Sequence, residues 1–415
     1  MQHSRPFDWA SSDSTHSKSC TVSTPASWRS AMETKYIADA DLKNCYSSNK
    51  PGETTQDGFT IYENAIPSFV EPALEDLYES IYCTLARFHI YDPPTAVHTY
   101  VARAKGEIRA IFLFRHHWGE IQVLNQQITV NEDELARFVR AVFARYRSAR
   151  LISFYAIEAA QGRLPFVHQR YVALEEHVLQ LPATAEQYFG RMSANFRSCL
   201  RRAEKKIRRA FPSFEIKVLA PSQVTEEVVR ELIAFAGARM AVKQQRTYIG
   251  EHEAINLMRL IQSHGYMVAA SIEGKLCAGS VWYMVGGRGF MHVNAHDPRF
   301  DQFMLGNQVL LHGVLHCIER GGRECWLMGG FGTHKAKFRA APQYLESVLI
   351  YRSRLGYLCH WRRAGAAAGK IVLQRLRARL RHKASGNGPG ARFFVLCLQL
   401  CRSLKRLGHA DPQIS

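Results

Sequence analysis

GYMVAASIEGKLCAGSVWYMVGGRGFMHVNAHDPRFDQFMLGNQVLLHGVLHCIERGGRECWLMGGFGTHKAKFRA occupies residues 265–340. Tyr266–Ile272 is apolar and β-like, Glu273-Gly274-Lys275 is a tight turn, and Leu276–Val285 is a second strand. Gly286-Gly287 turns the chain again into a third strand, Gly289–Ala295. Short β-rich runs separated by glycine turns predict an antiparallel meander. A helix opens at Met304–Gly306 and ends near Gly321-Gly322, and strands follow at Glu324–Met328 and Leu345–Arg352. Three strands, a glycine-containing loop, a helix and a further strand predict a mixed sheet flanked by helices, an α/β (α+β) class.

The loop before that helix carries the first chemistry. The first turn of a helix presents backbone N–H groups that have no carbonyl partner, at the positive end of the dipole. Such a start holds a phosphate or pyrophosphate, and a glycine lets a bulky anion approach. Met304, Leu305, Gly306 and Asn307 are therefore the expected cradle, although a glycine near a helix start is also a common turn. The strand 324–328 runs into GGFGTHKAKFRAAP, where Gly330 and Gly332 precede His334, Lys335 and Lys337. Flexible backbone and convergent polar groups at strand ends suit a ligand crevice, and a solvated surface turn is the plainer alternative.

Upstream the pattern is also α/β. Val70–Phe88 is apolar and helix-like, and Thr99–Ala102, Glu107–Phe114, Glu120–Leu124 and Leu151–Ile157 read as strands, with a turn at Lys105-Gly106. Residues 132–147 place Leu135, Phe138, Val139, Val142, Phe143 and Tyr146 on one helical stripe. His177–Leu181 is a strand ending at Pro182, and Phe214–Leu219 is another. Between them lies SANFRSCLRRAEKKIRRAF, with Phe196, Leu200, Ala203, Ile207 and Ala210 at helical spacing and the basic residues opposite. Helices follow over Thr225–Met240, capped by Thr225, and Ala254–Ser263. Residues 1–58 are polar and rich in Ser and Thr, the composition of a disordered tail. After residue 355, Ala366–Lys383 reads as a basic helix with Ile371, Val372, Leu373, Leu376 and Leu380 on one side, and 391–407 is apolar with basic residues near its ends.

The formal charge of +18 is concentrated. Residues 350–415 carry 14 Lys/Arg against Asp411, and 187–210 carry 8 against Glu204, so the remainder is close to neutral. Basic stretches attract phosphate, nucleic acid or an anionic membrane face, and either one alone is also read as a solvated helix face. The ten cysteines form no CxxC pair and no metal-ligand spacing, so no metal site is expected. No secretory leader opens the sequence and no apolar run reaches spanning length, so a reducing cytoplasm is expected.

The segment 184–353 resembles the acetyltransferase domain of the CelD/FemAB-like branch of the GNAT superfamily. LPATAEQYFGRMSANFRSCLRRAEKK is similar to the branch's basic helix, HGYMVAASIEGKLCAGSVWYMV to its hairpin, HDPRFDQFMLGNQVL to its acyl-CoA loop and GGFGTHKAKF to its closing motif. The resemblance departs at two points: Met304-Leu305 stands where the branch has Ser-Pro, and His334 where it has Tyr before the lysine. It implies tandem GNAT-like folds: a tail at 1–58, a degenerate first half at 59–180, an acyltransferase domain at 181–355 and a basic amphipathic helical tail at 356–415. The implied reaction is direct acyl transfer, from acetyl-CoA or another acyl-CoA and without a permanently bound cofactor, to nitrogen or oxygen of a cell-envelope or polysaccharide-related acceptor.

The resemblance also implies roles. Val293 and Asn294, on a strand that splays from its neighbour, join the donor cradle. Lys335 stabilises negative charge, His334 passes protons, and His292, His296 and Asp297 are base candidates, each also a plausible structural residue. Arg197 and Arg201 on the basic helix, with Gly330 and Gly332, are expected to meet an anionic saccharide or envelope precursor. The tail over 366–407 suits peripheral contact at the inner membrane face; packing on the protein's own core is its alternative. Two rival readings share the fold: a FemAB-like aminoacyl-tRNA-dependent transferase, which needs no pyrophosphate cradle, and an inactive GNAT-fold binding protein, which the His334 departure favours. Nucleic acid is otherwise not an expected partner.

Overall fold

The computed structural model describes residues 58–93, 95–159, 164–242, 250, 252–329 and 333–384. Of the tail predicted at 1–58, all but Gly58, which opens the first strand, lies outside them, as does the apolar segment 391–407.

The first part of the chain runs β1 (Gly58–Tyr62), α1 (Val70–Tyr78), α2 (Leu85–Tyr91), β2 (His98–Ala104), β3 (Glu107–His117), β4 (Glu120–Val123), β5 (Thr129–Val130), α3 (Glu132–Arg145) and β6 (Leu151–Ala159). The β2–β3 turn is tight because Lys105 and Gly106 both take positive φ, 52° and 79°, the twist a two-residue hairpin requires. The apolar stretch at 70–88 is not one helix: Glu79 adopts the left-handed conformation and ends α1, and Thr84 caps α2. All of the α3 stripe is buried except Tyr146, which packs at its edge.

The chain continues through β7 (Val167–Gln180), α4 (Ala185–Arg191), α5 (Ala194–Ala210), β8 (Glu215–Leu219), α6 (Glu226–Val242), α7 (Glu253–His264), β9 (Gly265–Ile272), β10 (Lys275–Val285) and β11 (Arg288–His296). Then come α8 (Leu305–Glu319), β12 (Glu324–Trp326), α9 (Thr333–Lys337), β13 (Ala341–Tyr351), α10 (Arg354–Cys359) and α11 (Trp361–Ala384). Ser193 caps α5, whose Phe196, Leu200, Ala203 and Ile207 are buried while Ala210 is exposed. β7 is far longer than the strand expected at 177–181, because its half-buried first part, HQRYVALE, has no clean alternation to read.

One sheet joins everything, in the order β1-β2-β3-β4-β6-β13-β7-β12-β11-β10-β9-β8, with β5 beside β6. The last strand in sequence, β13, is thus inserted at the centre, antiparallel to both β6 and β7. It buries Leu345, Val348, Leu349, Ile350 and Tyr351, each contributing about 1.5–3 kcal/mol by apolar burial. β12 pairs with β7 only over 178–180, which leaves most of the β7 edge away from β13 without a strand among the described residues. α11 covers part of that edge: Gln374 accepts from Val172 N at 3.1 Å and donates to Val172 O at 2.7 Å, as a neighbouring strand would.

The second half has a layer of helices on each face of the sheet. Phe196, Leu200 and Ile207 of α5 share a core with Leu305, Val309 and Val314 of α8 and with Phe338. On the other face, Val229 and Leu232 of α6 and Leu257 and Ile261 of α7 pack on Val281, Val293 and Trp326.

Candidate active site

The site is made by a fault in the sheet. Val281 pairs with Val293 but Trp282 pairs with Met291, so His292 is one residue extra in β11, a β-bulge. Bulges bend and twist a strand and end regular pairing. On its other side β11 runs parallel to β12 only from Arg288–Glu324 to Phe290–Trp326. Beyond that the strands part: β12 continues along β7 through Leu327 N to His177 O at 2.8 Å. Among the described residues, 291–296 then have no strand partner on the side away from β10.

The start of α8 sits against the parted end of β11. Met304 precedes it in the left-handed conformation (φ 55°), offers no side-chain cap, and no acid occupies the first turn. Asn307 N and Gln308 N bond Met304 O, whereas Leu305 N and Gly306 N have no carbonyl partner among the described residues. Asn294 Nδ2 donates to Gly306 O at 3.0 Å and ties the helix to the strand. A Cβ on Gly306 would lie 3.2 Å from His296 Nδ1 and 3.4 Å from Asn294 Oδ1. The glycine therefore serves first to seat the helix on β11, a different use from the close phosphate approach expected of it. Asn294 Oδ1 and His296 Nδ1 are buried without hydrogen-bond partners. Open N–H groups, a dipole end and the absence of acids fit an anionic group of a donor.

On the other side of the parting, Lys335 is buried, 5% exposed, and its Nζ donates to Met328 O at 2.6 Å and Gly329 O at 2.9 Å. Burial lowers its pKa, and the charges of Glu176 and Glu175 oppose that shift. Glu176, on β7, is equally buried; burial pushes its carboxyl up to about 7, against the opposing charge of Lys335 and a backbone hydrogen bond from Gly329. Glu176 lines a cleft with Tyr82 and Gln127 from the first half and Tyr283, His292 and Met328 from the second. Glu176 Oε2, Gln127 Oε1 and Tyr283 OH are buried and unpartnered. Three orphaned polar atoms on residues that line one cleft are costly unless water or a ligand satisfies them.

The predicted site residues therefore divide. Met304, Leu305, Gly306 and Asn307 meet Asn294 at the helix start, whereas the Val293 side chain turns to the other face of the sheet, among residues of α6 and α7, and Lys335 and His292 lie on the two sides of the parting. Burial, reinforced by the charge of Arg87, lowers the His292 pKa to about 4, so its imidazole is neutral and weakly basic. Asp297 starts the turn 298–303, where it accepts from Arg299 N at 2.9 Å and Arg299 Nε at 2.7 Å. The Arg299 side chain holds Asp297 below the usual carboxylate range, which disfavours it as a base. His296 bonds Asp301 at 2.7 Å. Arg197 donates to Phe189 O at 2.7 Å and so serves the α4–α5 joint, whereas Arg201 is exposed. Gly330, Gly332 and the side chain of His334 lie outside the described residues. Sequence reasoning missed Glu176, Gln127, Tyr82 and Tyr283; the one available signal was an acid pair, Glu175-Glu176, leading into an apolar strand.

The acetyltransferase (GNAT) domain family matches residues 194–336. The crystal structure of FemX is similar over 72% of this chain and 99% of that one, at 8% identity and a TM-score of 0.54, a likeness of fold. The C-terminal domain of a putative lysylphosphatidylglycerol synthetase from Agrobacterium fabrum is similar over 70% of this chain and 93% of that one (14% identity, TM-score 0.44). A tandem GNAT protein from the clavulanic acid biosynthesis pathway is similar over 70% and 98% (10% identity, TM-score 0.38). No curated protein matches the sequence. The parted strands and the bare helix start fall within the matched segment: residues 194–336 form an acetyltransferase (GNAT) domain.

Proposed function

We propose that the protein transfers an acyl group directly from acyl-CoA, with acetyl-CoA the first donor to test, to nitrogen or oxygen of an acceptor bound in the cleft between the halves. The observation that carries this reading is the parting of β11 from β12, with a bare helix start on one side and the cleft containing Glu176 on the other. The donor's pyrophosphate lies on the N–H groups of Leu305 and Gly306, and its thioester carbonyl enters the gap beside Val293 and Asn294. The acceptor nucleophile attacks that carbonyl, its proton passes to Glu176, the C–S bond breaks, and the thiolate is protonated from solvent. A carboxylate with a pKa near 7 is matched to this task at neutral pH. Unpaired β11 backbone donors stabilise the oxyanion, a contribution that is large when preorganised. Lys335 fixes the end of β12 and supplies positive charge at the gap, and His334, beside it in sequence, joins the proton path.

The likeness of 184–353 to envelope-associated transferases supports an envelope or polysaccharide-related acceptor, with Arg201 available to an anionic group and Gly330 and Gly332 in the adjoining turn. No helix among the described residues is long and apolar enough to cross a membrane. A second reading, an aminoacyl-tRNA donor, is favoured by the exposed Arg201, Arg202, Lys205 and Lys206, since α5 packs beside the turn 298–303. Mass spectrometry of ligands that co-purify with the chain, followed by titration with acetyl-CoA, longer acyl-CoAs and tRNA, separates the two. Saturable acyl-CoA binding without tRNA binding supports the first; salt-steep tRNA binding without acyl-CoA affinity overturns it.

A further inference from the structure

α10 and α11 have one side fixed to the protein and one side facing outward. Ala364 and Ala367 are buried, Gln169 Nε2 donates to Ala364 O at 3.1 Å, Gln374 grips Val172, and Arg363 pairs with Glu120. Ile371 turns partly inward, so it does not share a side with Val372, Leu373 and Leu376 as the sequence had suggested. Those three are exposed together with Leu355, Leu358 and Trp361, and these six are half of the twelve exposed large hydrophobics of the described residues. Trp361 is 69% and Leu355 68% exposed. Scattered apolar residues on a surface need no explanation, but half of them gathered within 22 residues of chain do.

We propose that this outer face of α10–α11 docks on an anionic bilayer surface, lying in the interface without spanning it. Charge selects this occupant. Residues 353–384 contain no Asp or Glu, and Arg354, Arg362, Lys370 and Arg375 are exposed around the apolar side chains. Apolar side chains set among cations, with a tryptophan at the margin, match the boundary between acyl chains and acidic headgroups. A second copy of the same surface would place like charges against each other across a two-fold interface. A nucleic acid would use the arginines and leave Leu355, Trp361 and Leu376 in water. The proposal does not depend on which donor or acceptor the active site takes.

Flotation of the full chain with vesicles of phosphatidylcholine alone, or with phosphatidylglycerol added, tests it. The wild type floats with the anionic vesicles and not the neutral ones. Trp361→Glu combined with Leu376→Glu abolishes flotation, with the thermal midpoint and acetyl-CoA affinity unchanged because both side chains are exposed and belong to none of the buried apolar clusters of the described residues. Arg362→Gln and Arg375→Gln each weaken binding by roughly fivefold, the effect of about one basic residue at an anionic surface. The proposal is overturned if the wild type stays with the soluble fraction, if the Glu variants float equally well, or if the double variant loses stability, which would mean that protein covers the face. It is also overturned if Trp361→Glu dissociates a dimer or removes an affinity for nucleic acid instead.

Discussion

The chain follows the same path twice, and only one of the two copies is left open. In the first half β2, β3 and β4 form a meander, α3 follows, and β6 returns parallel to β4; in the second, β9, β10 and β11 form the meander, α8 follows, and β12 returns parallel to β11. In the first half the parting is filled. Gln127 N bonds Ala156 O at 2.7 Å, Glu158 N bonds Ile128 O at 2.8 Å, and β5 pairs with β6. Its helix start is closed as well: the Asn131 side chain caps α3, and Glu132, Asp133 and Glu134 occupy the first turn. Three carboxylates at a positive helix end repel a phosphate. In the second half no strand bridges the parting among the described residues, Met304 gives no cap and no acid guards α8. The lesson is that a ligand site here consists of what the second half omits, namely a cap, three acids and a bridging strand. The first half keeps those features and instead contributes Tyr82 and Gln127 to the cleft.

The largest test of this contrast gives α8 an acid of the kind α3 has. Gly306→Glu abolishes saturable acyl-CoA binding by calorimetry, since a carboxylate then stands at the open N–H groups and a Cβ presses His296 Nδ1. Retained affinity in a folded variant would remove the cradle. Next, Glu176→Gln lowers turnover by roughly 10²–10⁴-fold, the range for loss of a general base, with acyl-CoA affinity unchanged. Wild-type turnover rises with pH through about 7, as the carboxyl ionises, and the variant loses that limb. The same raised pKa has a stability signature. Its contribution is fully present below the ordinary carboxyl value of 4.5 and is lost as pH rises through about 7, so above 7 the Gln variant gains stability, on the order of 3 kcal/mol. A denaturation series across pH reads this directly.

Lys335→Ala has a smaller effect on the chemistry. It leaves Met328 O and Gly329 O without their donor, costs about 1–3 kcal/mol of stability, and lowers turnover more than acyl-CoA affinity. Removing that charge also lifts the Glu176 pKa further, so the pH limb moves up. The smallest effect belongs to the closed half: Asn131→Ala costs about 1 kcal/mol, the loss of a helix cap, and leaves donor binding untouched. A change in donor affinity there would blur the contrast.

What the sequence made legible was local. The two-residue turns at Lys105-Gly106 and Glu273-Gly274, the α5 stripe and the loop-to-helix step at Met304 each declare themselves within a few residues. The Glu79 break in α1 was not legible, because it depends on a left-handed residue that is not glycine. Glu176 was hidden for another reason. Its raised pKa arises from burial between β13 and β12, strands that come from more than 140 residues further along the chain. Gln127 and Tyr82 read as ordinary first-half residues until the sheet brings them to His292.

Hydrogen exchange of the full chain, with and without acetyl-CoA, tests the central contrast most directly. The account predicts that the donor slows exchange at Leu305 and Gly306 and along 291–296, and changes nothing at 126–134 around the capped start of α3. Unchanged exchange at 304–307 in the presence of saturating donor, or equal protection at both helix starts, would contradict it.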